Sequence, residues 1–297
     1  MIRVGIIINS ARPLQKKAKE ALRLIENSEF IIVEKSFTSY PKHAIELAKK
    51  WALEKQVIIA VGGDGTCNEV LNGWYQSKSE HCAIGIIPNG TGNDFSRMLP
   101  PFDPKIFLEN VEDLNVTKID YGLAISDENQ RAFLNISDVG FGAKVVQILE
   151  RQRRNGIRGK LAYSLAIIRA FLVFRKKEIV LDLDNQKISQ KSLLIAFCNG
   201  RDFGHGLAIH PDAKLCNGKL GVTIVGNVSI LTYASKLGDL KKGKKILHPE
   251  LQYVTVQKAE FDPTCLPEMM EFDGELCEDP IRSISVVASG LPLICRF

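Results

Sequence analysis

Val61-Gly62-Gly63-Asp64-Gly65-Thr66-Cys67-Asn68-Glu69 follows directly on the apolar run Val57-Ile58-Ile59-Ala60. That order predicts a buried strand feeding a glycine turn and then a helix. Thr66 and Glu69 fit a capping box, with threonine at the N-cap and glutamate at the third helical position. Backbone without side chains can approach a polyphosphate closely, and the N–H groups at a helix start favour anions. Asp64 is out of place in a pure phosphate cradle, because a carboxylate repels phosphate. A bridging Mg²⁺ removes the conflict and points to a nucleotide bound with metal. Taken alone, the segment also fits an ordinary capped turn.

Outward from this turn, strand and helix alternate. Arg3–Ile8, Phe30–Val33, Val57–Val61 and Ala83–Ile87 read as strands, and Pro13–Glu26 and Pro41–Glu54 as helices. In the second helix Ala44, Leu47, Ala48 and Trp51 form one apolar stripe. Apolar strands alternating with amphipathic helices imply a parallel sheet covered on both faces, with ligands beyond the carboxyl ends of the strands. Near Lys118–Gly122 the pattern changes. Strands are expected at Ala132–Ile136, Glu178–Leu183, Ser192–Cys198, Leu220–Val225 and Tyr253–Val256, interrupted by two helices, Ala143–Arg154 and Lys160–Phe174. Turn chemistry at Asp184-Asn185, Asn217-Gly218 and Asp273-Gly274 argues for an antiparallel sandwich. The reading is an α/β domain over 1–122 and an all-β domain over 123–297, with the last strand free to return to the first domain.

At 297 residues the chain can bury two cores, and 45% hydrophobic with 25% charged residues is a globular composition. The N-terminus opens on a strand and lacks a signal-peptide pattern. The longest apolar stretch, Leu161 to Phe174, contains Tyr163, Ser164 and Arg169 and is too short to span a bilayer. Seven scattered cysteines without a C-x-x-C pair read as small buried hydrophobes in a reducing cytoplasm.

A second loop, Pro88-Asn89-Gly90-Thr91-Gly92-Asn93-Asp94-Phe95-Ser96-Arg97, follows strand Ala83–Ile87. Its glycines allow a bend, Thr91 offers a hydroxyl to phosphate, and Asp94 is placed to cap the next helix. The two loops at this spacing resemble the diacylglycerol kinase catalytic family, which includes bacterial lipid kinases and sphingosine kinases. The resemblance extends through Phe133-Leu134-Asn135-Ile136 with Gly140, Gly159-Lys160-Leu161-Ala162-Tyr163, Asn199-Gly200, Ile209-His210-Pro211-Asp212-Ala213 and Asp273-Gly274-Glu275. A P-loop is absent, so another cradle must hold the nucleotide. The Gly-Gly-Asp-Gly-Thr element also resembles that of NAD kinases and phosphofructokinases. It implies their architecture for the α/β domain.

Carried over by position, the resemblance implies ATP contacts at Asn9, Thr38, Gly62, Gly63, Asp64, Gly65, Thr66, Cys67, Asn68 and Thr91. It places Asp64 on the Mg²⁺ of Mg-ATP and Asp94 in the charged network beside it. Glu275, in the Asp273-Gly274-Glu275 turn, matches the proton acceptor, and Asp273 joins the catalytic set. A lipid hydroxyl is a poor nucleophile, so a carboxylate within hydrogen-bond reach must take its proton. Many bacterial members carry Asp-Gly-x-Leu-Asp at a structural Mg²⁺ site. Here the equivalent is Asn217-Gly218-Lys219-Leu220-Gly221, with the Lys214 and Lys219 carbonyls completing the set. Loss of the charge should lower hard-cation affinity there.

The basic runs Arg151–Lys160, Arg175-Lys176-Lys177 and Lys241–Lys245, with a net charge of +5, suit an anionic membrane surface. Solvated helix ends explain each run equally well, and no aromatic-interleaved motif points to nucleic acid. The expected partners are ATP and a lipid at the membrane surface, and a homodimer is compatible with the sequence. The expected protein is a cytoplasmic enzyme, peripheral at the inner membrane face, that phosphorylates diacylglycerol or a related lipid. Its rivals are a kinase of a sphingoid base or phosphatidylglycerol, an NAD kinase, and a silent lipid-binding regulator.

Overall fold

The computed structural model describes residues 1–157 and 160–296. Arg158, Gly159 and the side chains of Arg153, Lys160 and Leu161 lie outside the described residues, as do the parts of the expected motif and basic run that fall on them. The chain opens with β1 (Ile2–Ile8), α1 (Lys16–Glu26), β2 (Ile31–Phe37), α2 (His43–Glu54), β3 (Val57–Gly62), α3 (Asp64–Ser77), β4 (Ala83–Pro88) and α4 (Pro104–Glu112). β1 lies between β2 and β3, and β3 between β1 and β4, all in parallel. Every residue of β3 is buried, which explains its uninterrupted apolar run.

The second part comprises β5 (Val116–Ser126), β6 (Gln130–Phe133), β7 (Ile136–Gly140), α5 (Phe141–Arg154), α6 (Lys160–Val173), β8 (Lys177–Leu183), β9 (Gln186–Ser192) and β10 (Leu194–Cys198). It continues through β11 (Asp202–Phe203), β12 (Leu207–Ala208), β13 (Leu220–Val225), α7 (Ile230–Lys241) and β14 (Leu251–Val256). It ends with β15 (Lys258–Phe261), β16 (Met270–Phe272), β17 (Glu275–Cys277) and β18 (Ile281–Ile294). β14, β13, β10, β7, β16 and β17 form an antiparallel sheet in that order. It packs on a layer of β8, β15, β18, β5 and β6 across a core that includes Phe133, Phe197, Phe261 and Phe272. The fold is thus a mostly parallel α/β unit followed by an antiparallel β-sandwich.

β18 joins the two. Leu293 pairs in parallel with Ile84 of β4, and Lys258–Glu260 pair antiparallel with the other end of the strand. β5 runs along the opposite edge of β18, with a register shift between Val287 and Leu291. One ten-stranded sheet therefore spans both units.

Four expectations need correction. The single strand expected at Ala132–Ile136 is two strands in different sheets. Asp273 accepts the backbone N–H groups of Leu134 and Asn135, taking them out of any ladder at the crossing. A third helix, α7, interrupts the second part, started by Ser229, whose Oγ accepts the Thr232 N–H. The capping box is also not formed. α3 begins earlier, at Asp64 after Gly63, and the Thr66 hydroxyl accepts from Asn9 Nδ2 instead. Glu69 reaches across to α2 and accepts the N–H groups of Lys42 and Ala44, capping the neighbouring helix. Finally, Asp94 does not cap the short 3₁₀ turn Phe95–Met98; Asp64 Oδ1 accepts the Phe95 N–H.

Candidate active site

The two glycine loops meet backbone to backbone. A Cβ on Gly90 would lie 2.5 Å from the Gly63 Cα, so that position tolerates no side chain. Asn89 N donates to Gly62 O, and Gln15 N donates to Asn89 Oδ1, tying the second loop to the first and to the start of α1. Both loops open onto one cavity of about 540 Å³, within the usual range for ligand sites. Asn9, Gly62, Gly63, Asp64, Gly65, Thr66, Thr91 and Asp94 line one arm of it. The rest of the lining is mostly apolar and includes Val145, Leu149, Ile167, Val225, Val228, Tyr233 and Leu240, together with Thr232, Lys236 and His248. Asp138, Glu271, Asp273 and Glu275 lie between the two.

Glu275 belongs to the sandwich, yet Oε1 lies 3.4 Å from where a Cβ on Gly65 would sit. Its other oxygen accepts from Arg131 Nη2 at 3.0 Å. Burial pushes the Glu275 carboxyl above the usual carboxylate range, with the Arg131 charge pulling the other way. Gly274 and Asp273 have φ of 87° and 50°, the pair of positive values a two-residue type I′ hairpin requires.

Asp273 is fully committed within the protein. Its oxygens accept the N–H groups of Leu134, Asn135 and Ile136 and the amide of Asn68 at 2.8–3.1 Å. Asn68 therefore bolts α3 to the hairpin and does not line the cavity. Cys67 is buried, and burial pushes its thiol far up. Thr38 also lies apart from the cavity lining, its Oγ1 accepting the Ser10 N–H.

Asp64 and Asp94 face a common space. A Cβ on Gly92 would lie 3.1 Å from Asp64 Oδ2 and 3.6 Å from Asp94 Oδ2. Asp94 Oδ2 accepts the His205 N–H, while the buried Oδ1 makes no hydrogen bond and has Arg97 Nε at 3.4 Å. Burial pushes the Asp94 carboxyl up. Asp64, with Oδ1 fixed by the Phe95 N–H and Oδ2 turned to this space, suits a hard cation, whereas Asp94 has Oδ2 already accepting from His205 and Oδ1 buried beside Arg97. At the Asn217 segment the side-chain oxygens are already engaged. Asn217 Oδ1 is taken by the Lys219 N–H. The adjacent carboxylate, Asp120, is consumed by the N–H groups of Asn217, Gly218 and Ser289. Sequence reasoning missed Asp120, Arg131, Asp138 and Glu271, none of which stands in a glycine motif.

The two glycine loops, Asp64 and Asp94 from the α/β unit and Glu275 from the sandwich thus line one cavity. Comparison with known proteins gives the family. Residues 3–124 match the diacylglycerol kinase catalytic domain, and residues 135–295 the YegS C-terminal NAD kinase beta sandwich-like domain. A Chromohalobacter salexigens protein described as a probable YegS-like lipid kinase is 30% identical over 74% of this chain and 70% of its own. The Staphylococcus haemolyticus diacylglycerol kinase is 29% identical over 70% of this chain, a match that spans 62% of the relative's length. Two Bacillus anthracis Sterne crystal structures, one described as a "putative diacylglycerol kinase" and the other as a diacylglycerol kinase, superpose with TM-scores of 0.77 and 0.70. They are 23% and 19% identical, and each alignment covers 99% of this chain and 97% of the other. The chain belongs to the diacylglycerol kinase and YegS-like lipid kinase family.

Proposed function

We propose that the protein transfers the γ-phosphoryl group of ATP to a hydroxyl of diacylglycerol or a related lipid. One observation carries this reading: Glu275 from the sandwich and Asp64 from the α/β unit share a cavity whose far arm is apolar. The glycine turn and the N-terminus of α3 are suited to the triphosphate, with Asn9 holding Thr66 in place and Thr91 on the facing loop. Asp64 would hold Mg²⁺, which neutralises phosphate charge when bound, with Asp94 in the charged network beside it.

The lipid hydroxyl in the apolar arm then has Glu275 beside it. Its oxygen bonds to the γ-phosphorus as the bond to the β,γ-bridging oxygen breaks. The proton passes to the Glu275 carboxylate, and ADP leaves with the bridging oxygen. Arg131 keeps Glu275 ionised, and burial makes it a stronger base than a solvated carboxylate. Asp273 acts as scaffold, its oxygens being already occupied.

No helix among the described residues is long and apolar enough to cross a membrane. Access to lipid would instead come through α6 and α7, which line the apolar arm. They expose Ile168, Leu172, Val173 and Leu231, and Leu247 lies just beyond α7. Exposed Arg169, Arg175, Lys241, Lys242, Lys244 and Lys245 on and beside them suit an anionic surface, at about 1 kcal/mol each.

The test is transfer of label from γ-labelled ATP to a panel of diacylglycerol, monoacylglycerol, sphingoid base and phosphatidylglycerol, with Glu275→Gln in parallel. Label in one lipid, lost in the variant while ATP binding persists, supports the reading. Lipid binding with no label in any lipid favours a silent regulator and overturns it.

A further inference from the structure

Asp138 and Glu271 form a buried carboxyl pair that neither the cradle nor the base explains. They are directly opposite one another on β7 and β16, with Asp138 1% and Glu271 4% exposed. Both face the helical layer, since the alternate residues Val139, Met270 and Phe272 belong to the sandwich core. Their side chains are within hydrogen-bond reach of each other, which two ionised carboxylates would not tolerate, so the geometry calls for a shared proton.

Each partner also grips backbone. Asp138 Oδ1 accepts the N–H of Ala143, in the first turn of α5, the helix that walls the apolar arm. Glu271 Oε2 accepts the N–H of Gly274 at 2.6 Å, inside the turn that carries Glu275. Gly142 is required for this arrangement, because a Cβ there would lie 2.0 Å from Asp138 Oδ2. A single shared proton thus links the wall of the apolar arm to the turn bearing the base.

We infer that Asp138 and Glu271 are a proton-dependent clamp that positions the Asp273-Gly274-Glu275 turn, and with it Glu275, against the cavity. The inference rests on the proposed kinase reading for its catalytic consequence, but not for its structural one. Among the described residues, the titratable groups facing the pair are Tyr163 from α6, Cys198 from β10 and Asp273 on the turn itself. None of the three can supply positive charge. Loss of the shared proton leaves two apposed carboxylates with no cation from these groups between them, and the clamp opens. Burial raises both carboxyls, so the clamp opens as the pH rises.

The experiment follows the full-length protein and its Glu271→Gln and Glu271→Ala variants from about pH 6 to about pH 9. It reads amide hydrogen exchange over 270–277, corrected for intrinsic rates, and lipid-kinase kinetics. Glutamine can donate to Asp138 and still accept from Gly274 N, without a titrating proton. The wild type should lose protection of this segment at the alkaline end by about tenfold, and Glu271→Gln should not. In kinetics, Glu271→Ala should lower kcat by about tenfold or more while the ATP KM stays within about twofold. Glu271→Gln should recover kcat and lack the alkaline fall. Equal alkaline exchange in wild type and Glu271→Gln, or an alkaline limb that persists in Glu271→Gln, overturns the clamp. So does a Glu271→Ala loss that tracks ATP affinity and Tm alone. If no lipid is phosphorylated by the wild type, the kinase reading fails separately, and the exchange arm still decides the clamp.

Discussion

Arg131 Nη2 donates to Glu275 Oε2 across 3.0 Å, and the same guanidinium lies over the Phe272 ring, 5.2 Å from its centroid. The stacking fixes the planar group so that it meets only one oxygen of the carboxylate. The other oxygen is left toward Gly65 and the cradle. Arg131 thereby counters the burial that raises the Glu275 carboxyl.

Replacing Arg131 by Met should let the Glu275 carboxyl rise further, because its largest opposing influence is removed. A protonated carboxyl cannot accept the hydroxyl proton. The acidic limb of kcat/KM should therefore move to higher pH, by about one unit. A pH-rate profile for the two proteins checks this; coincident acidic limbs would show that Glu275 is not the titrating base.

Asp64→Asn should separate metal use from folding. The amide oxygen can still accept the Phe95 N–H, so the turn before the 3₁₀ segment survives. What is lost is an anionic oxygen facing Asp94 and the cradle. The Mg²⁺ concentration for half-maximal turnover should rise by about tenfold or more, with Tm unchanged within about 2 °C. An unaltered Mg²⁺ titration would place the metal elsewhere.

The parallel half was legible because β3 is buried throughout and so reads as an unbroken apolar run. The sandwich was harder. β18 contains Gly290 and Pro292, which read as strand breakers, yet Pro292 pairs with Lys118 beyond a bulge that absorbs the irregularity. α7 hid because Leu240 is its only buried residue, leaving little apolar periodicity. Thr66 and Glu69 had the spacing of a local cap, but both side chains found partners 25 to 57 residues away. Arg131 and Glu271 were invisible for the same reason. Arg131 reaches Glu275 from a strand of the other sheet, and Glu271 faces Asp138 across β7 and β16; sequence spacing carries neither relationship.

Close helix approach gives a stability prediction with its own control. α2 and α3 meet at Gly73, where a Cβ would lie 2.3 Å from Ile45 O and 2.7 Å from Ala48 Cβ. Both obstacles are backbone or backbone-proximal and cannot swing away. Gly73→Ala should cost about 2–3 kcal/mol by overpacking. Gly238, in α7, has nothing within 4 Å of its Cβ position, so Gly238→Ala should stabilise by about 0.5–1 kcal/mol. Denaturant melts of both variants check the pair, and similar shifts in the same direction would contradict the packing described.

His210 predicts how the fold responds to acid. It is 2% exposed, stacked edge-on to Tyr253, with Gly221 beneath it where a Cβ would lie 2.4 Å from the ring. Thr223 Oγ1 donates to Ile209 O, so its contact with His210 Nδ1 at 3.0 Å requires the ring nitrogen to donate. That fixes the neutral ring with its proton on Nδ1. Burial lowers the imidazole to about 4; Asp212 opposes the shift and Lys245 reinforces it. The unfolded chain binds this proton near the ordinary value of about 6.5, and the folded chain does not. Stability is therefore complete above about pH 6.5 and falls as the pH drops toward 4, by roughly 2 kcal/mol at pH 5. His210→Gln keeps a donor for Thr223 but carries no titrating group. It should be less stable than wild type at neutral pH and should lose the His210 share of the acid slope. Thermal melts at pH 7 and pH 5 measure the difference, and an identical slope in both proteins would mean that His210 is protonated inside the fold.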